Sequence, residues 1–358
     1  MKNLHNLLFI AVVVLTLFCC KKSGPSRENL LTSKPHIEDS IILNIPQIKR
    51  FCDKMKVEKK FLSIGDCKLY CEIEGDGVPL VLINGGPGGT HHCFHPWLSG
   101  AKEKFKIIYY DQRGCGLSDY YPVGGYTFDQ AVDDLENLRI ALKIDKWIVL
   151  GHSFGGGIAQ YYTIKYPQNV IGQILVASVP MLNKPELDAV NLNQFLTKEE
   201  IRKLDEILKM VINGKLTYAQ YFYNNDINGG WKRQNFLKPT SAEEAQLATY
   251  DIVFDKTYNS DYEKYNFEYV FDGCPVPTLI CEGKYDSSWS AEKVPAMIKN
   301  HPTADFRLFK NSSHNIYRDE PEAFIKAITG WADSLRIANS IEIADWETYT
   351  NRIFRRPI

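Results

Sequence analysis

An apolar run, Trp147-Ile148-Val149-Leu150, ends in Gly151-His152-Ser153-Phe154-Gly155, and a segment of helical composition follows. A strand that turns sharply into a helix with serine at the apex is the Gly-x-Ser-x-Gly elbow in the context the motif demands. Glycine stands on both sides because the turn leaves no room for side chains there. The serine hydroxyl is held clear of the main chain at the mouth of a sheet. The first N–H groups of the helix, which have no carbonyl one turn earlier, are aimed at the same place. The five-residue pattern alone arises by chance in roughly one chain in ten of this size. The rest of the sequence must therefore decide whether the elbow is chemical or only a glycine-rich turn.

Length and charge narrow the classes. A chain of 358 residues with a net charge of −1 suits one large domain with an insertion, or two modest domains. So small a net charge argues against a nucleic-acid partner. At the N-terminus, Met1-Lys2 precedes an apolar stretch over 7–18 that is too short for a membrane span and reads as a signal-peptide core. Leu17-Phe18-Cys19-Cys20 resembles a bacterial lipobox with Cys20 as the lipidated residue, since Leu17 sits three positions before it. It departs from that pattern in having Cys19 where a small residue is usual, and in the bulk of Phe18. The expectation is an exported, lipid-anchored protein of the cell envelope, with plain secretion or an uncleaved N-terminal anchor as alternatives. Residues 1–20 form the signal peptide and 21–57 a polar tether.

Seven cysteines remain beyond Cys20, an odd number with no repeating spacing and no Cys-x-x-Cys. That excludes a disulfide framework and a thiolate zinc site, and leaves small buried hydrophobes.

Along the rest of the chain, residues 60–74 alternate like a hairpin. Strand-like runs at 79–83, 105–110, 147–150, 170–177, 277–281 and 306–309 are interleaved with helical spacing at 127–142, 291–299 and 320–335. Strands alternating with helices give a mostly parallel sheet covered on both faces. The alternation stops near Pro180 and resumes near residue 272. The sequence thus divides into a core in two parts, 58–180 and 272–337, a helical cap over 181–271, and an unassigned tail over 338–358. A cap inserted between strands is placed to act as a lid.

A serine nucleophile needs a base and a group that orients the base. With serine first in the chain, the acid belongs after a late strand and the histidine last. Asp286 follows the strand at 277–281, with Glu282 as a substitute, and His314 follows the strand at 306–309. An acyl-transfer serine also needs an oxyanion hole. The N–H of Phe154 is one donor, and the glycine-rich Asn84-Gly85-Gly86-Pro87-Gly88-Gly89 after an early strand supplies the other, placed at Gly86. That loop carries no phosphate-binding signature. His91 and His95 would share a face of a following helix, but the base and nucleophile are complete without an ion, so no metal and no cofactor are expected.

Three segments now resemble one family, the proline iminopeptidases and related aminopeptidases of the α/β-hydrolase superfamily, over about residues 58–335. They are Asn84-Gly85-Gly86-Pro87-Gly88, Asp111-Gln112-Arg113-Gly114-Cys115-Gly116-Leu117-Ser118 and Gly151-His152-Ser153-Phe154-Gly155-Gly156. The resemblance implies the α/β-hydrolase fold with a helical cap, and structural roles for Asp111 and Arg113. It implies release of an N-terminal residue, proline or small and apolar, from short peptides, and cap carboxylates that bind the substrate ammonium. Asp255 and Asp261, just before the chain returns to the sheet, are the favoured pair among Glu199, Glu200, Glu243, Glu244, Asp251 and Glu263. Asn84 stands where the family usually has histidine, which touches the substrate class rather than the triad. A carboxylic ester hydrolase with the same triad is the alternative, and a non-catalytic binding protein on the same fold is a third reading. The sequence does not set the oligomeric state.

Overall fold

The parity of side chains along strand Val78–Ile83 determines what lies on each face of the sheet. Leu80 and Leu82 point to one side, Val81 and Ile83 to the other, and all four are buried. A strand apolar on both faces must be covered on both. The computed structural model describes residues 41–45, 55–120, 126–182, 193–232, 264–286 and 292–338. Among them run β1 (Glu58–Ser63), β2 (Lys68–Glu74), β3 (Val78–Ile83), β4 (Phe105–Tyr110), β5 (Trp147–His152), β6 (Val170–Val176), β7 (Thr278–Gly283) and β8 (Asp305–Phe309). They form one eight-stranded sheet in the order β1-β2-β4-β3-β5-β6-β7-β8. The β1–β2 and β2–β4 pairs are antiparallel and the other five are parallel.

The helices are α1 (Phe128–Ala141), α2 (Phe154–Lys165), α3 (Lys198–Ile212), α4 (Tyr218–Ile227), α5 (Lys293–Asn300), α6 (Ile316–Asp319) and α7 (Pro321–Ala338). On one face, Val81, Ile83, Ile108 and Val149 meet Val132 and Leu135 of α1 and Ile158 and Tyr162 of α2. On the other, Leu80, Leu82, Ile107 and Leu150 meet Phe94, Leu98 and the α7 residues Phe324, Ile328 and Trp331. Each such buried side chain contributes about 1.5–3 kcal/mol. The chain runs from β3 to β4 on one side and then crosses to β5 on the other. This reversal opens a crevice at the carboxyl ends of β3 and β5, where open α/β sheets bind ligands.

The segment between β6 and β7 contributes α3 and α4. Each starts with a reciprocal cap: Thr197 with Glu200, and Thr217 with Gln220. Leu204, Ile207, Leu208, Leu216 and Tyr221 form a small core of their own. One local expectation needs correction. The stretch after the glycine-rich loop is a short 3-10 helix, His91–Phe94, with His95 already extended. Pro96 explains it, because a residue before proline is driven out of the helical region. Among the described residues, Cys67, Cys71, Cys115, Cys274 and Cys281 are buried and Cys93 is half-buried.

One buried group gives the fold a pH dependence. The His301 ring stacks on Phe271 with centroids 4.1 Å apart, and its Nδ1 lies 3.1 Å from the Met297 carbonyl. A carbonyl only accepts, so the proton sits on Nδ1. Burial pushes the His301 pKa down to about 4 from 6.5. The unfolded chain takes up the proton first as pH falls. The stabilisation is therefore whole above pH 6.5 and is lost between there and about pH 4, amounting to roughly 3 kcal/mol. His301→Phe keeps the stack and removes the titration, so thermal unfolding of that variant should fall less steeply over this range. An identical pH dependence in variant and wild type would contradict this assignment.

Candidate active site

Ser153 joins β5 to α2 with φ 55° and ψ −122°, a conformation that costs a non-glycine residue on the order of 1–3 kcal/mol. The turn is held by its neighbours: Ser153 N donates to the Val176 carbonyl at 2.9 Å, and Ser153 O accepts from Val179 N and Gly156 N. Side chains on the flanking glycines would not fit. A Cβ on Gly151 would sit 2.3 Å from the Gly155 carbonyl, and one on Gly155 would sit 2.2 Å from the Ile83 carbonyl. Phe154 is the first residue of α2, so its N–H lies at the end of the helix where negative charge is favoured.

The glycine-rich loop after β3 packs directly against the elbow. A Cβ on Gly85 would come within 2.8 Å of the Ser153 Cβ. Gly86 follows at φ 130°. Asn84 is fully buried. Its Nδ2 donates to the Gly85 carbonyl at 3.1 Å, and its own carbonyl accepts from Gln112 Nε2 at 3.0 Å. Its side chain thus shapes the loop.

On the other side, Asp286 Oδ2 lies 2.9 Å from His314 Nδ1. A carboxylate bonded there leaves Nε2 of the ring as the basic atom. Glu282, still inside β7, is instead bonded at 2.5 Å to Lys293 of α5, with both side chains at most 2% exposed. Asp286 reaches the histidine because it lies three residues past the end of the strand. The His314 loop is pinned from several directions. Ser313 N donates to Asp319 and Ser313 Oγ to the Tyr285 carbonyl, while Asn311 N and Ser312 Oγ donate to Glu320.

The sequence gives no sign of what His152 does. Its Nε2 lies 3.1 Å from the His314 carbonyl, and the two rings are 4.8 Å apart. Burial, reinforced by the neighbouring His314, pushes its pKa down to about 3, so it is neutral and donates that hydrogen bond from Nε2. The residue before Ser153 thereby anchors the loop that carries His314.

Asp111 and Arg113 lie behind this assembly. Asp111 accepts from the backbone N–H groups of His91 and Leu117, and Arg113 makes paired bonds to Asp134 and to Asp66. Of the cap carboxylates, Glu199 pairs with Arg202 and Glu200 with Lys232 and its own helix cap. Asp255 and Asp261, like Cys20 at the N-terminus, fall outside the described residues. Phe195, ahead of α3, faces Tyr285 with ring centroids 6.5 Å apart, which brings the inserted segment to the residue beside Asp286.

The sequence model of the alpha/beta hydrolase fold matches residues 78–321. The chain belongs to the alpha/beta hydrolase family. Within that family it is 28% identical over 283 residues to the proline iminopeptidase of Saccharolobus solfataricus, covering 77% of this chain and 91% of the relative. The hydrolase also superposes on the proline iminopeptidase of Mycobacterium smegmatis (TM-score 0.59, 19% identity, 79% of this chain and 100% of that one). An esterase from Exiguobacterium antarcticum fits about as well (TM-score 0.58, 23% identity, 77% and 100%). At such identities the two structures speak for the fold alone. The motif resemblance and the expected mostly parallel sheet both agree with these matches.

Proposed function

We propose that this hydrolase removes an N-terminal residue, proline or a small apolar one, from short peptides through an acyl-enzyme. The observation that carries this reading is the Asp286–His314 bond of 2.9 Å, set beside an elbow whose serine abuts the glycine-rich loop. Ser153 Oγ attacks the carbonyl carbon as His314 Nε2 takes its proton. The Phe154 and Gly86 N–H groups bind the oxyanion, and Asp286 steadies the imidazolium. His314 then protonates the leaving amine, and water enters by the same route to release the acid. Neither metal nor cofactor has a part in these steps. Relatives named proline iminopeptidase support the peptide substrate. The esterase neighbour supports a second reading, a carboxylic ester as substrate for the same triad.

The deciding assay compares a proline arylamide, its N-acylated form and a short-chain aryl ester. Cleavage of the free-amine arylamide alone supports the aminopeptidase and directs attention to Asp255 and Asp261. Cleavage of the ester alone replaces it with the esterase. For the N-terminus we propose export and lipidation at Cys20, carried by the lipobox-like residues. Cys20→Ser should then move the protein from the membrane fraction to the soluble one when expressed with its leader in a bacterium. Unchanged partitioning would remove the anchor from the account.

A further inference from the structure

A second cluster of chemistry-bearing side chains lies outside the elbow and the acid–base pair. Glu72 of β2 meets His91 and His95, which follow the glycine-rich loop, and their donor atoms all lie within 4.8 Å of one another. None of the three is more than 2% exposed. Asp111 Oδ1 engages His91 Nδ1 at 2.7 Å, so Nε2 is the ring atom turned to Glu72, 3.7 Å from Oε1. His95 Nε2 lies 3.0 Å from Glu72 Oε2, yet neither atom completes a directed hydrogen bond. Both atoms are buried and unsatisfied, and a group left in that state calls for an ion or a water.

We infer that Glu72, His91 and His95 form a structural Zn2+ site. Zinc–ligand bonds of about 2.0–2.1 Å at tetrahedral angles set neighbouring donors about 3.3 Å apart, and the distances of 3.0 and 3.7 Å bracket that spacing. Glu72 supplies one carboxylate oxygen beside the two Nε2 atoms, three ligands in all, and a water would be the fourth, while Glu72 Oε1 also accepts from the Tyr70 hydroxyl at 2.6 Å. Asp111 on His91 Nδ1 is the carboxylate that typically orients a metal-bound imidazole. Two imidazoles with one carboxylate suit zinc rather than magnesium or calcium, which prefer oxygen throughout. Lys59, half exposed and 3.6 Å from Glu72 Oε1, marks the solvent side. The ion would tie β2 to the residues that follow the Gly85–Gly86 turn and touch no substrate. The inference stands whichever acyl compound is hydrolysed.

The test is titration of the chelator-treated full-length protein with Zn2+ and with Co2+. It is read by metal analysis after dialysis, by the Co2+ visible spectrum and by X-ray absorption. The expected result is about one ion per chain in a tetrahedral nitrogen–oxygen shell, with affinity at least about ten-fold lower in Glu72→Gln and in His95→Gln. Folded wild-type protein that retains less than about one-tenth of an ion overturns the site and leaves a cluster that shares only protons. A shell containing sulfur, or full affinity in both variants, overturns it as well by placing the ion elsewhere. The wild-type measurements decide the matter even if a variant fails to fold.

Discussion

Replacing Ser153 with alanine should lower kcat for the arylamide or ester that the wild type cleaves by about 10⁴- to 10⁶-fold, with KM little changed. The alanine occupies the same strained turn, so the elbow, the loop at Gly85 and the His314–Asp286 pair stay in place and only the nucleophile is lost. The residual rate comes from binding and from oxyanion contacts that do not need the hydroxyl. His314→Ala should fall into the same range, and the double variant should be no worse than either single one, because the two act as a unit. Steady-state release of the arylamine, with a folded-protein control by circular dichroism, makes the comparison. Retention of more than about one-tenth of wild-type kcat in Ser153→Ala would falsify the assignment of the nucleophile.

The second large effect falls on stability. Lys293 Nζ and Glu282 Oε1 are 2.5 Å apart beneath the acid–base pair, and neither side chain reaches solvent. Lys293→Met removes the cation and strands the carboxylate, at a cost of about 3–5 kcal/mol and a fall in Tm on the order of 10 °C. Burial already pushes the Glu282 pKa up, and without Lys293 nothing of comparable weight opposes it. The variant therefore folds with a protonated Glu282. Its unfolded chain releases that proton first as pH rises, so its deficit should grow above about pH 4.5 and shrink below. Glu282→Gln with Lys293→Met, which removes both charges, should recover most of the loss. Chemical denaturation at pH 5 and pH 8 would measure both effects. A Lys293→Met protein as stable as the wild type at pH 8 would show that the pair carries no net weight.

Much of this architecture is written locally in the chain. The elbow is legible because two glycines and a serine stand between a β-rich run and a helix, and the Asp286–His314 pair because each residue follows a strand in the second half of the core. The sheet is legible because strands such as Val78–Ile83 are apolar at consecutive positions, a pattern suited to burial on both faces. What stays hidden depends on contacts between segments far apart in sequence. Glu282 stays open as a substitute for Asp286 until one is seen inside the strand and the other past its end. His152 gives no sign that its ring reaches a carbonyl 162 residues later. Glu72 reads as one polar position in a hairpin, and nothing in its neighbourhood announces two histidines about 20 residues on. Pro96 is the one missed cue that was local, since it halts the helix that His91 begins.

The inserted segment leaves the sheet after β6 and returns at β7, and these strands are adjacent and parallel, with Val176 opposite Cys281. The segment therefore leaves at the carboxyl end of β6 and returns at the amino end of β7, where Thr278 lies opposite Gln173, so it is a crossover whose two ends are held by the register of the strands, whatever lies between them. Ala177 N donating to the Cys281 carbonyl at 2.9 Å carries the β6–β7 ladder one residue past β6. A register held in this way makes the protein modular in an evolutionary sense. The residues between can lengthen, shorten or be exchanged with a relative's without shifting the register that sets Ser153 against the His314 loop. Selectivity and reactivity are free to diverge at different rates within one polypeptide.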